Sequence, residues 1–212
     1  MLLPDAAIDT PLAMTGEPVV LADPADDAGG DALSDNTTIL RQLLEQDVER
    51  AAVGPIWDPT AAKLCFDAGV GARLRLRLGG KIGPVSGMPI DATVEVLALR
   101  RDCWQSFGPT RLPLGECAAI QVKGVAVMLI EKRTQALGLE LFPNLGIHPR
   151  GRKILVVKST NHFMVAFGPI AHKVLYVDAD GPLDRSYARI PYICVTRPIL
   201  PLDEETAPSL IL

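Results

Sequence analysis

Histidine is scarce in this sequence. The chain has three, His148, His162 and His172, spaced 14 and 10 residues apart, and none falls in an HxxxH, HExxH or DxH pattern. Compact zinc motifs put two ligands on one helical turn, so no such motif is present. A surplus of positive charge is also missing. With 21 Lys and Arg against 25 Asp and Glu, the net charge is −4 and the pI near 5.4. That balance excludes a nucleic-acid binder, which needs clustered cations to neutralise phosphates. No apolar run approaches the ~20 residues that cross a bilayer, so a membrane partner is not expected. The opening MLLPDAAIDT has no basic stretch and carries Asp5 and Asp9, so no export signal is legible. The four cysteines, Cys65, Cys103, Cys117 and Cys194, are scattered without a CxxC pair. That usage predicts buried, reduced thiols in a cytoplasmic protein rather than a disulfide framework. No internal repeat and no low-complexity segment is present.

What is there is apolar material enough for a sizeable core, 48% of the residues. Residues 1–16 mix Pro, Asp, Thr and Gly without a period and predict a frayed leader. PVVLAD predicts a short buried strand ending at Asp23, followed by the loop PADDAGGDALSD. NTTILRQLLEQDVERA predicts a helix capped by Asp35 or Asn36, with Ile39, Leu40, Leu43 and Leu44 on its apolar face. A second helix is predicted in DPTAAKLCFDAG, capped by Asp58, started by Pro59 and ended by Gly69. In GARLRLRLGGK strict alternation places Arg73, Arg75 and Arg77 on one face of a strand and three leucines on the other.

From Ile90 to Arg133, DATVEVLALR, CAAIQVKG and VAVMLIEKR predict consecutive antiparallel strands. TQALGLELFPNLG predicts a short helix stopped by Pro143, and GRKILVVKS another buried strand. NHFMVAFGPIAHKVLYVD predicts a helical stretch, a Gly-Pro break and a strand from Lys173 to Val177; the Pro-rich end predicts an extended arm. The expected fold class is α/β or α+β: a mixed β-sheet with flanking short helices and a β-rich middle section.

Two stretches carry candidate chemistry. In ADPADDAGGDALSDNTTIL, glycines precede a helix, a setting that can cradle an anion. Here Asp23, Asp26, Asp27, Asp31 and Asp35 crowd the turn and would repel one, at about 1 to 4 kcal/mol per close charge pair. The loop therefore suits a cation, an ammonium group or hydrogen-bond donors, or else it simply caps the helix. GxxxxGK[ST] and GxGxxG are both absent. In KSTNHF a strand ends in Lys158, Ser159 and His162, where functional groups collect in open α/β sheets. Ser159 lacks the GxSxG elbow and a third triad member, so a Ser-His nucleophile is not supported. VDADGPLD lacks the later ligands of a calcium loop and predicts a turn. The arginine stripe of the RLRLR strand predicts a solubilising face.

Four blocks, PVVLADPADDAGGDALSDNTTILRQLL, IWDPTAAKLCFDAGVGARLRLRLGGK, GIHPRGRKILVVKSTNHFMVAFGPIAHKVLYVDADGP and YICVTRPILPLD, are collinear from about Pro18 to Asp203. Together they resemble the C-terminal domain of the microcystinase C (MlrC) family of zinc-dependent peptidases. After the flexible leader expected over 1–16 from its composition, the resemblance implies an MlrC-like domain over 17–203 followed by a tail over 204–212. It implies zinc for the full-length family, carried on an N-terminal domain, and no cofactor in this chain. Where relatives read DNPGGG this chain has Asp26-Asp27-Ala28-Gly29-Gly30-Asp31, and where they read HFR it has His162-Phe163-Met164.

No catalytic residue is assignable. The substrate-contacting candidates implied are Asp26, Asp27, Gly29, Gly30, Asp35, Thr37, Lys158, Ser159 and His162. The expected role is an accessory or substrate-contacting domain without metallopeptidase activity of its own. The alternative is one half of a split peptidase or amidohydrolase, completed by a separate N-terminal metal-binding subunit. Expected partners are that subunit or a second copy of this chain, and a peptide-like substrate. A small-molecule-binding module resting on the acidic loop is a third reading.

Overall fold

Val19–Ala22 is wholly apolar and buried on both faces, as a central parallel strand requires, and forms β1. In the computed structural model, which describes residues 1–183, 187–200 and 202–203, β1 lies in an eight-stranded mixed sheet. The other strands are β2 (Ala51–Trp57), β3 (Arg73–Leu78), β4 (Ile90–Phe107), β5 (Thr110–Val122), β6 (Val125–Ile130), β7 (Ile154–Val157) and β8 (Lys173–Tyr176). Their order is β3-β4-β5-β6-β2-β7-β1-β8. The run β6-β2-β7-β1-β8 is parallel and β3-β4-β5-β6 antiparallel. The expected mixed sheet and β-rich middle are thus present.

Helices cover both faces. On one, α1 (Pro4–Ala13), α2 (Thr38–Glu45) and α3 (Pro59–Ala68) bury Ile8, Leu40, Leu43 and Cys65 against Leu21, Val53 and Val127. On the other, α4 (Met164–Phe167) and the 3-10 turns Leu139–Leu141 and Pro143–Leu145 bury Phe142, Phe163 and Phe167 against Val20, Ala52 and Leu155.

Several local expectations change. Residues 1–16 are no frayed leader: α1 forms there, Ala7 and Ile8 are fully buried, and Leu2 bridges Val177. Packing supplies what the weak periodicity does not. The helix expected through Ala51 stops at Glu45, because the chain must turn back into β2, with Asp47 and Arg50 at positive φ. β2 forms at AAVGPIW, a stretch for which no strand was expected. Pro55 is accommodated because the register with β6 shifts between Val53 and Ile56. Around Pro143 two single 3-10 turns replace the expected short helix. Cys194 is exposed, unlike the other three thiols. The 204–212 tail lies outside the described residues.

The β3–β4 hairpin folds back over α2 and α3, as the shared burial of Leu76, Leu78, Ile90 and Val94 shows. Its connecting loop, 79–89, is thereby brought against the loop that precedes α2.

Candidate functional site at the strand ends

Two neighbouring parallel strands send the chain in opposite directions. From β1 it passes through α2 to β2, beyond β7; from β7 it passes through α4 to β8, beyond β1. Such a switch point opens a crevice at the carboxyl ends of the strands, where open α/β sheets bind ligands. Asp23 follows β1 and Lys158 follows β7. The acidic loop and the KSTNHF corner, 135 residues apart, therefore meet.

Their meeting point is a buried ion cluster. Lys158 Nζ lies 3.0 Å from Asp23 Oδ2 and 2.8 Å from Asp26 Oδ2, and donates to the Asn36 carbonyl at 2.9 Å. All three charged side chains are at most 2% exposed. Asp26 also accepts from the Ser34 and Asn36 amides, at 2.8 Å each. Burial opposes the lysine charge, but Asp26 and then Asp23 outweigh it and hold Lys158 above the ordinary lysine range. Burial pushes Asp23 up, against the pull of Lys158. Asp26 is thus the better-compensated carboxylate, while Asp23 Oδ1 is buried with no hydrogen bond. The ammonium group that the acidic loop suits is the chain's own Lys158.

The remaining acids are also engaged. Asp27 accepts from the Gly29 amide (2.8 Å) and from the Thr160 amide (2.8 Å), clamping the two loops together. Asp35 Oδ2 accepts from the Lys81 and Ile82 amides, at 3.0 and 3.1 Å. Asp31, at the surface, pairs with Arg133 at 2.7 Å. Thr37 Oγ1 donates to the Met88 carbonyl at 2.6 Å. Asp58, beyond β2, caps α3 through the Ala61 amide, accepts from the Gly79 amide and binds Lys81 Nζ through both oxygens, at 2.8 and 2.7 Å. Gly79 has φ +49°, and a Cβ there would stand 2.6 Å from the Asp35 carbonyl, so glycine is required.

The candidate residues divide by exposure. Asp26, Asp27, Asp35, Thr37, Lys158 and Ser159 are buried, whereas Gly29, Gly30 and His162 face solvent. Gln135 joins the rim: its Oε1 accepts from Ser159 Oγ at 2.9 Å and lies 3.3 Å from His162 Nδ1. Phe107, at the tip of the β4–β5 hairpin, meets the His162 ring edge-on with centroids 5.2 Å apart. Asp23, Asn36, Lys81 and Gln135 were not among the expected site residues. Asp23 is one of the five acids that crowd the acidic turn in sequence, but no motif singles out Gln135 or Lys81.

A metal does not fit these residues. His148 and His172 precede β7 and β8 and so sit at the amino ends of parallel strands, opposite His162. The strand-end carboxylates are taken up by Lys158, Lys81 and backbone amides. Among the described residues no group of three or more His, Cys, Asp or Glu could hold an ion.

Residues 21–193 match the family model described as "MlrC C-terminus". The chain belongs to this family. It is 37% identical over 172 residues to Microcystinase C from Sphingomonas sp, a match covering 81% of this chain and 34% of the relative. The chain thus spans about a third of that relative's length. The fold is shared with a crystal structure from Mesorhizobium sp. BNC1 named "Putative metallopeptidase": TM-score 0.84 and 23% identity, covering 98% of this chain and 42% of the other. The matched residues contain both the acidic loop and the KSTNHF corner. No described helix is long and apolar enough to cross a membrane.

Proposed function

We propose that this chain is the accessory, substrate-contacting part of a zinc-dependent peptidase or amidohydrolase of the microcystinase C type, with no hydrolytic activity of its own. The observation that carries this is the match to the family model described as "MlrC C-terminus" and to about a third of the relative named Microcystinase C, joined to a strand-end site whose acids are taken up by the chain's own cations and amides. The buried Lys158 cluster positions the two loops. Gly29, Gly30 and His162 form the surface that meets a peptide-like substrate. Phe107, Met164 and Val165 are exposed around that corner, which suits docking of a metal-bearing part, supplied as a separate subunit in the split-enzyme form of this reading.

The test is metal analysis and a peptide-hydrolysis assay on the purified chain. Zinc far below one per chain and no hydrolysis are expected. Adding the metal-bearing part should restore hydrolysis, and His162→Ala should lower it. One tightly held zinc with hydrolysis by the chain alone would overturn the proposal.

A further inference from the structure

The β4–β5 hairpin runs on past the end of β6 and carries a groove of about 630 Å³ that the strand-end site does not use. Five consecutive residues of β4, 100 to 104, line it. A regular strand cannot do this, because successive side chains point to opposite faces. The register shifts between Arg100 and Cys103 and again between Cys103 and Trp104, and these bulges break the strict alternation.

The groove is positive in an acidic chain. Arg100, Arg101, Arg111 and Lys132 stand against Asp102 and Glu131. Arg101 is neutralised by Glu116. Arg111 lies over the Trp104 ring, 3.7 Å from its centroid, which fixes the guanidinium plane. The side chains of Arg100 and Lys132 make no hydrogen bond or ion pair with any described residue; the Lys132 amide donates to the Leu114 carbonyl at 3.0 Å. We propose that this groove binds an acidic peptide segment, Arg100 and Arg111 each taking one carboxylate through the guanidinium fork. The interspersed Asp102 and Glu131 disfavour a compact multivalent anion but tolerate single carboxylates spaced along a chain. Trp104 and Pro113 supply apolar contact between them. This holds whether or not the domain serves a hydrolase.

The chain's two tryptophans report on the site directly. Trp104 lines the groove, and Trp57 Nε1 donates to the Glu131 carbonyl at 2.9 Å. Titrating the full chain with a capped tri-glutamate peptide should give a saturable change in tryptophan fluorescence, weakened by raising salt to about 0.5 M. Arg100→Gln and Arg111→Gln should each weaken binding about fivefold or more with an unchanged melting temperature, while Arg73→Gln, on β3, leaves it unaltered. No saturable change, equal binding of a capped tri-glutamine peptide, equal binding of inorganic phosphate, or indifference to both groove substitutions would overturn the assignment.

Discussion

Lys158 Nζ stands 2.8 Å from Asp26 Oδ2, joining the end of β7 to the loop that leaves β1. The acidic loop and the KSTNHF corner are therefore one device, with a buried cation between two carboxylates at the switch point of the sheet. The exposed rim that they position, from Gly29 to His162, rests on this pairing.

Replacing Lys158 by Met leaves Asp23 and Asp26 buried without their cation. The loss expected is about 3–5 kcal/mol, the cost of removing one partner of a buried pair. Urea denaturation checks this, and a midpoint equal to that of the parent chain would refute it.

Asp23 provides a pH test. Its carboxyl is held above the ordinary 3.8 by burial, so its favourable contribution is full below pH 3.8 and is lost as pH rises through its folded value. Asp23→Asn cannot lose a proton, so the difference in melting temperature between variant and parent should move in the variant's favour from pH 4 to pH 7. The opposite trend would mean that Asp23, rather than Asp26, is the principal counterion. Lys158 is held above its ordinary 10.5, so its contribution is full below that pH and disappears only in more alkaline solution.

Asp58→Ala should cost about 2–4 kcal/mol, combining a lost helix cap with a buried Gly79 amide left unpaired. Asp58→Asn keeps the cap oxygen and should recover part of this. Thermal unfolding of the two variants compares them, and equal losses would show that the Lys81 charge pair dominates.

Thiol reactivity should separate the four cysteines. Cys194 is exposed, whereas Cys65, Cys103 and Cys117 are buried, and burial, then the Asp58 carboxylate, pushes Cys65 up to about 11. One thiol per native chain should react quickly with an aromatic disulfide reagent, and Cys194→Ser should abolish that phase. Rapid reaction of two or more thiols in the native chain would contradict the burial.

Much of the fold is legible locally. β1, β7 and β8 are short apolar runs between breakers, α3 is announced by Asp58-Pro59 and closed by Gly69, and β3 alternates Arg with Leu. β2 was not legible, because Gly54-Pro55 signals a turn and only pairing with β6 and β7 makes AAVGPIW a strand. α1 was hidden in the same way, its weak periodicity resolved by burial of Ala7 and Ile8. For the site, both loops were legible as polar clusters, and the resemblance ranked them. Their roles were not: Lys158 is a buried strut, while Gln135, named by no motif, links Ser159 to His162.

The acidic balance is a sum over the whole chain, and the apolar runs, the caps and the lack of any clustered zinc motif are set by residues a few positions apart, so all of them can be read without a fold. Tertiary structure alone decided which carboxylates hold Lys158, which acids cap backbone amides and which arginines share a groove. The pairing of Lys158 with Asp23 joins partners 135 residues apart, brought within hydrogen-bond range only once the sheet has formed.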